Sequence, residues 1–512
     1  MADEELRLGD LLAALSLTTD LAMGQPPEKA IRAAVVATEV ARRMGLPEPQ
    51  VTDAYYTTLL KHLGCTATSH EEAETFGPDD LGMRPVAERT DVARPRELLG
   101  LMLVSGRGAG LGRPRYLARA LTAGKEMDRA ISRAVCEVAA GMARRLGLGD
   151  EVVRALSESL ERWDGKGGPQ GLRGEDIALP ARIAEPATQA VIFHRVGGTE
   201  AALAMIERRA GGWFDPAVAE AFRAVGPATL ERLDDEDPWA AVLAAEPEPV
   251  RRIPSDRIEA VAEAFADMVD LKTTFTLGHS AGVARLASAA AERLGFPQPR
   301  TMRLAALLHD LGRTAVGTGV WEKPGPLTTT EWEQVRLHPY HTERVLSRSE
   351  ALRPLARIAG MHHERQDGSG YHHGASAVEV PAEARLLAVA DAFHAMTEHR
   401  PHRAAIDPAE AAEIVTEEAR AGRLDPECGR AVLEVAGRPT VRRGLWPARL
   451  SDREVEVLRL VARGASNATI AGTLFISRRT AEHHVQHIYA KIGVSTRAAA
   501  AMFAMEHGLI RD

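Results

Sequence analysis

The chain writes one stretch twice. Residues 362–374 read HHERQDGSGYHHG, and residues 159–171 read SLERWDGKGGPQG. Glu, Arg, Asp and three Gly recur at identical spacing, at an offset of 203 residues. Two copies of one frame so far apart mean two domains of one type, and 512 residues leave room for a third region besides. The copies differ in one respect that bears on chemistry: His362 and His363 of the second stand opposite Ser159 and Leu160 of the first.

The element type follows from residue usage. Ala, Leu, Arg and Glu dominate, aromatics are only 4%, and strand-like alternation is scarce. Runs such as AIRAAVVATEVARRMGL and EVVRALSESLERW place apolar residues three and four apart, which predicts an all-α protein. No run of 18 apolar residues exists, and the acidic MADEELRLGD terminus lacks a signal core, so no membrane contact is expected. Three distant cysteines, Cys65, Cys136 and Cys428, form no paired motif and fit burial in a reduced cytoplasm. With a net charge of −8, any contact with nucleic acid must come from a local patch.

Two proline-containing stretches, 233–256 and 437–450, read as boundaries. They divide the chain into a first domain over 1–200, a connecting segment over 201–255, a middle domain over 256–440 and a C-terminal module over 446–512. The glycine-rich SGRGAGLGRPR at 105–115 matches neither nucleotide-loop spacing and reads as a flexible loop.

Of 18 histidines, 11 fall between residues 256 and 440. Candidate metal ligands there are His279, His309, Asp310, His338, His362, His363 and Asp391. Nearly all sit at the end of, or inside, an apolar helical run, where an imidazole or carboxylate is costly unless paired or metal-bound. Neighbours on a helix point about 100° apart, so His309–Asp310 and His362–His363 can splay across two ions. Mixed nitrogen and oxygen donors suit iron, manganese, zinc or cobalt, and two such ions about 3.5–4 Å apart can polarise a phosphate ester.

In order along the chain, HDLGR, KPGPLT, HHE, DGSGY, VADAFHAM and RPHR resemble the motifs of HD-GYP phosphodiesterases over residues 256–435. The resemblance implies a helical fold, two divalent metal ions with iron or manganese favoured, and hydrolysis of cyclic di-GMP or a related phosphodiester. It implies catalytic roles for Asp310 and Arg313, and substrate contacts from Lys323, Gly370, Tyr371, Arg400 and Arg403. Asp270 stands nine residues before His279, where trinuclear members carry Glu, so a third ion is the alternative to two. Two departures bear on substrate recognition. Arg313 replaces the family's lysine, a fork where a point charge is usual. His372 replaces the proline that gives the family its name, which frees a backbone dihedral, and His373 follows it; such extra imidazoles can coordinate metal, contact phosphate or face solvent, and the last is expected.

On the 203-residue offset, Val135, Ser159, Leu160 and Thr188 fall opposite His338, His362, His363 and Asp391. Upstream, TLLKHLGC resembles ALLHDLGR, which puts Lys61 and His62 opposite His309 and Asp310. The first copy thus reads as a degenerate HD-type domain that cannot hold a divalent pair, kept for sensing, dimerising, docking or packing.

The C-terminal module predicts four short helices. Ser451 with Glu454 forms a capping box, Ser466 and Ser477 cap the next two, and Ser495 or Thr496 starts the fourth. Ala481, Val485, Ile488 and Ile492 mark the buried face of the third helix, and Gly493 ends it. LSDREVEVLRLVARGASN, HHV..IY.KIGV and STR resemble the LuxR-type helix-turn-helix family. That resemblance implies a third helix in the major groove of double-stranded DNA and binding as a homodimer to paired half-sites. Arg478, Arg479, Thr480, His483, His484, Gln486 and Lys491 are the expected DNA contacts. The module carries nine Lys and Arg against six Asp and Glu, which leaves the remainder of the chain at −11, so DNA must meet this end. The fold expected is therefore two tandem HD-type helical domains and a four-helix LuxR-type module. Function divides between a transcriptional regulator with phosphodiesterase activity and a non-catalytic transcription factor whose HD domain senses metal or nucleotide.

Overall fold

The computed structural model of the chain describes residues 5–107, 109–437 and 446–510. Residues 438–445, within the second expected boundary, and Gly108, within the glycine-rich stretch, lie outside the described residues. Among those described, the only sheet is Leu6–Arg7 paired antiparallel with Arg252–Ile253; the rest is helix and connection. The chain divides into two compact units, residues 1–260 and 261–512.

In the first unit, Leu8–Ala22, Lys29–Arg43, Glu48–Leu59 and Leu179–Arg209 are the central helices. Leu11, Leu12, Leu15, Ile31, Val36, Tyr55 and Leu59 are buried among them. Alanines on the buried face of the Lys29–Arg43 helix give it close-packing surfaces. Residues 201–255 do not connect two domains, as their proline and acidic residues suggest. They continue the Leu179–Arg209 helix past a break at Gly197–Gly198 and add the Pro216–Asp235 and Pro238–Ala245 helices. Phe214, Phe222, Leu230, Leu233 and Val242 bury their side chains there, and that apolar area outweighs the breaker residues. Arg209, itself 1% exposed, donates to Gln189 Oε1 at 2.9 Å and stacks on Trp213 at 4.6 Å. The glycine-rich stretch is largely helical: a short turn of helix over Gly110–Gly112 runs into the Arg113–Arg145 helix, and the Gly106 N–H is tied to the Phe76 carbonyl at 2.7 Å.

The second unit places His279–Leu294, Pro299–Leu308, His338–Leu346, Arg353–Gly360 and Ala382–Met396 around one core. Met302, Leu307, Leu346, Leu386, Leu387 and Val389 fill it. Pro408–Arg420 and Pro426–Ala436 complete this domain, each started by an aspartate that accepts from the first-turn amides, Asp407 and Asp425.

The repeated stretch explains itself as a loop. Glu364 accepts from the amides of His373 and Ala375, and Glu161 from those of Gln170 and Leu172, the same steps of nine and eleven residues. Asp367 and Asp164 each accept from the amide two residues on. A Cβ at Gly370 would lie 2.4 Å from the Arg365 nitrogen, and one at Gly167 would lie 2.6 Å from the Arg162 nitrogen, so both loops cross their own backbone where only glycine fits. The shared residues hold the loop. The histidines that differ do not.

Helices Asp452–Ala462, Asn467–Leu474, Arg478–Ile492 and Arg497–Glu506 make the C-terminal module. Ser451 and Glu454 form the capping box, Ser466 and Ser477 cap their helices, and Thr496 rather than Ser495 caps the last. Ala481, Val485 and Ile488 are buried, Ile492 is half-buried, and Gly493 ends the third helix at φ +70°.

Candidate functional site

The seven candidate ligands converge because helix ends converge. His279 opens its helix, His309 and Asp310 follow the Pro299–Leu308 helix, His338 opens another, and His362 and His363 follow Arg353–Gly360. Asp391 alone comes from mid-helix. Asp310 lies at the centre. Its Oδ2 is 3.4 Å from His309 Nε2 and 3.7 Å from His279 Nε2, while its Oδ1 is 3.4 Å from His338 Nε2 and 3.7 Å from His362 Nε2. Asp391 Oδ1 lies 3.1 Å from His279 Nε2, and its Oδ2 lies 3.9 Å from His363 Nδ1. One carboxylate thus faces two groups of imidazoles, the arrangement needed to bridge a pair of cations.

Three of the rings are held in place by backbone. The Nδ1–H groups of His309, His338 and His362 donate to the carbonyls of Ala306, Val335 and Ala359 at 2.6–2.7 Å. Each carbonyl lies three residues upstream, so the end of each helix fixes its own histidine and turns Nε2 inward. His309 Nε2 is buried and makes no hydrogen bond. Burial, and then the neighbouring rings His309 and His338, bring the His362 pKa down to about 3; burial also lowers His309 and His363. Burial opposes the charge on Asp310 and Asp391, but the neighbouring histidines, with Arg313 beside Asp310, outweigh it and hold both carboxyls well below the usual range. Neutral imidazoles and ionised carboxylates are the states a metal requires. His279 differs: burial works against its proton, yet Glu398 and Asp391 raise it to about 10. A proton and a cation would compete for the same Nε2.

Glu398 and His394 were not legible in the sequence. Glu398 Oε2 accepts from His279 Nδ1 at 2.8 Å, its Oε1 is 3.3 Å from His394 Nδ1, and Arg400 donates to it at 3.0 Å. A carboxylate behind a ligating histidine fixes its tautomer and raises its basicity. Asp270 lies outside the cluster: its two oxygens accept from the amide and hydroxyl of Ser280, in the first turn of the His279–Leu294 helix, and burial lifts it to about 7. Among the described residues it joins no group of donor atoms close enough to share an ion.

Arg313 donates to Asp310 at 3.0 Å and lies over Trp321 at 4.1 Å. Tyr371 stacks on His363 at 4.7 Å, beside the cluster. Lys323 and Arg403 are engaged elsewhere: the Lys323 ammonium meets Glu331 at 2.6 Å, and Arg403 donates to the carbonyls of Ala395, Met396, Glu398 and Ala404. His373, expected to face solvent, is half exposed and meets Glu343 at 3.0 Å.

The first copy keeps the frame of this site and fills it with its own cations. A Cβ at Gly312 would lie 2.0 Å from the His338 carbonyl, and one at Gly64 would lie 2.0 Å from the Val135 carbonyl, so Val135 stands where His338 does. Asp20 accepts from the amide ten residues on, as Asp270 does, which puts Lys29 in the place of His279. Lys61 meets Glu185 at 2.7 Å, while Lys29 and His62 meet Glu88 at 3.1 and 3.0 Å, all nearly buried. Burial, and then Lys29 and Lys61, bring His62 down to about 4, so it stays neutral. Two ammonium groups paired with two carboxylates occupy the ground held by imidazoles in the second copy.

In the C-terminal module Arg478, Arg479, Thr480, His483 and Gln486 are exposed along one helix, and His484 is half-buried. Thr480 is also tied to the cap through Ser477 Oγ at 2.7 Å. The Lys491 ammonium is spent on Glu454 at 2.7 Å, which therefore receives both the cap amide and a cation. His487, which is not among the expected DNA contacts, reaches the same Glu454 at 3.0 Å.

A family model described as "HD domain" matches residues 110–218 and again 263–428, once in each copy. The chain belongs to the HD-domain family. A second model, "Bacterial regulatory proteins, luxR family", matches residues 448–504, so this HD-domain protein ends in a LuxR-type helix-turn-helix module. It is 31% identical over 440 residues to the 3'3'-cGAMP-specific phosphodiesterase 3 of Vibrio cholerae, covering 84% of this chain and 94% of the relative. It is 40% identical over 163 residues to the cyclic di-GMP phosphodiesterase response regulator RpfG of Xanthomonas campestris, covering 30% of this chain and 43% of that one. A crystal structure of a cyclic GMP-AMP specific phosphodiesterase of V. cholerae superposes with a TM-score of 0.60 at 27% identity, over 85% of this chain and 99% of the other. No helix among the described residues is long and apolar enough to cross a membrane.

Proposed function

We propose that the chain is a metal-dependent phosphodiesterase acting on a cyclic dinucleotide and, through its C-terminal module, a DNA-binding regulator of transcription. One observation carries the enzymatic half: four imidazole Nε2 atoms lie within 3.4–3.7 Å of the two oxygens of Asp310, with Asp391 closing the far side. The donor set fits two divalent ions of the iron or manganese kind, and the unpartnered His309 Nε2 accords with such a fit. His279, His309, Asp310 and Asp391 would hold one ion, and Asp310, His338, His362 and His363 the other. When bound, the pair supplies a hydroxide and polarises the phosphate.

The chain's own residues do the rest. Backbone carbonyls keep three ring protons on Nδ1, so Nε2 stays free to ligate. Glu398 does the same for His279. Arg313, steadied by Trp321, brings a positive charge toward the phosphate. Tyr371 and Arg400 border the cluster and would orient the dinucleotide, with Gly370 letting the loop cross close by. Lys323 and Arg403 are taken up by internal partners and are left out of this reading. The relatives' names supply two substrates to compare, cyclic di-GMP and 3'3'-cGAMP.

The regulatory half rests on the exposed face of the Arg478–Ile492 helix, which would read DNA as a homodimer on paired half-sites. Three buried free cysteines fit a reduced cytoplasm. The replacement of the family proline by His372 favours a second reading, in which the domain binds nucleotide without turnover. The test is linear-product formation from each cyclic dinucleotide by Mn-loaded protein, with Asp310→Ala as control. Turnover that vanishes in the variant supports the enzyme. Binding without turnover in the wild type supports the sensor, and full turnover in the variant removes the site assignment.

A further inference from the structure

Among the described residues, one further group of donor atoms stands apart from this cluster. Glu343 Oε2 lies 3.0 Å from His373 Nε2 and 3.5 Å from His372 Nε2. The three come from two elements: Glu343 from the His338–Leu346 helix, and the two histidines from the loop that departs from the family pattern. We propose that Glu343, His372 and His373 form a separate transition-metal site at the rim of the domain, binding one Zn2+ or similar ion with water completing the coordination.

Bonds of about 2.0–2.1 Å in a tetrahedral shell put neighbouring ligand atoms about 3.3–3.4 Å apart. The two observed separations, 3.0 and 3.5 Å, bracket that value, so small ring movements admit an ion. Hydrogen bonding alone accounts poorly for His372. Its Nε2 sits at the limit of reach from the carboxylate, and its Nδ1 is buried with no hydrogen-bond partner. Its ring, 12% exposed, is packed against Tyr340 and His373. A cation would give Nε2 the close partner that Glu343 at 3.5 Å does not supply, with the ring proton left on Nδ1. Two imidazoles with one carboxylate match the donor set of open zinc sites. The frame of the loop is independent of this site: Glu364 holds the amides of His373 and Ala375 whatever the side chain of His373 does.

The position gives the ion a role. Tyr371 precedes the pair and stacks on His363, while Glu343 rides on the helix that His338 opens. An ion here would pin the substrate loop to an element of the deep cluster without touching the deep ligands.

The test is a zinc count by equilibrium dialysis and elemental analysis on the full chain, with the visible spectrum of the Co2+-substituted protein as a second readout. Glu343→Gln and the double variant His372→Ala/His373→Ala should each lose one equivalent and the matching share of the four-coordinate cobalt bands, with circular dichroism unchanged. The double variant His309→Ala/Asp310→Ala should lose deep-site metal and keep the outer equivalent. Wild-type zinc counts in both outer-site variants overturn the proposal. So does an outer equivalent that disappears whenever Asp310 is changed.

Discussion

Glu398→Gln isolates the support behind a single ligand. The glutamate accepts from His279 Nδ1 at 2.8 Å and faces His394 and Arg400 as well. Burial opposes its charge, but His279 and His394 hold its carboxyl far below the usual range, so it is ionised throughout the working pH interval. Glutamine keeps the shape and an accepting oxygen but removes the charge. His279 then loses basicity and a fixed tautomer, not its place. Removing such a partner lowers metal affinity by about 10–100-fold, or about 1.4–2.7 kcal/mol. Titration of apo protein with Mn2+ against a fluorescent chelator reads this directly. Weakening within that range, with an unchanged melting temperature in metal-free buffer, is the expected result. A change below about threefold would refute the view that Glu398 tunes a ligand, and would reduce it to a partner for Arg400.

Glu88→Gln should destabilise the first unit by about 3–5 kcal/mol in urea unfolding, because it leaves the buried Lys29 ammonium without its closest carboxylate; Mn2+ should not restore the loss. A loss under 1 kcal/mol would mean that Asp20, 3.8 Å away, suffices. Glu454→Gln should cost the C-terminal module about 1 kcal/mol at neutral pH through its capping box and the Lys491 pair. Burial opposes the Glu454 charge, but Lys491 and Ser451 bring its pKa down to about 2. A depressed folded pKa gives stability that is complete above about pH 4.5 and lost toward pH 2, so the gap between wild type and variant should close over that interval. A gap that stays constant with pH would contradict the pairing. Cys136, pushed by burial to about 11, should resist alkylation at pH 8 until the protein unfolds; rapid labelling of the folded chain would contradict its burial.

The convergence of the seven candidate ligands was legible because each is a polar residue at an awkward place in an apolar run, and helix geometry does the rest. His394 sits in such a run too, but nothing local says that it faces His279, 115 residues away. Glu398 is further hidden, since a glutamate just past a helix is ordinary until its partner is known. The degenerate copy was legible as absence, in Ser159 and Leu160, but not as replacement. Lys29 and Lys61 become a cation pair only once Glu88 and Glu185 arrive from distant helices. Residues 201–255 misled because proline at the first turn of a helix, as in Pro216 and Pro238, looks like a linker residue when read alone. The place of Lys491 near the end of the third helix suggests a DNA contact. Its engagement with Glu454, 37 residues upstream, depends on how the first helix crosses the third.

The central claim is that Asp310 and Asp391 share one pair of cations with five histidines. Anomalous diffraction from crystals of the Mn-loaded protein measures it most directly. The account predicts two peaks about 3.5–4 Å apart, with Asp310 between them and His279 and His338 on opposite sides. A single peak away from Asp310, or none within the cluster at saturating Mn2+, would contradict it.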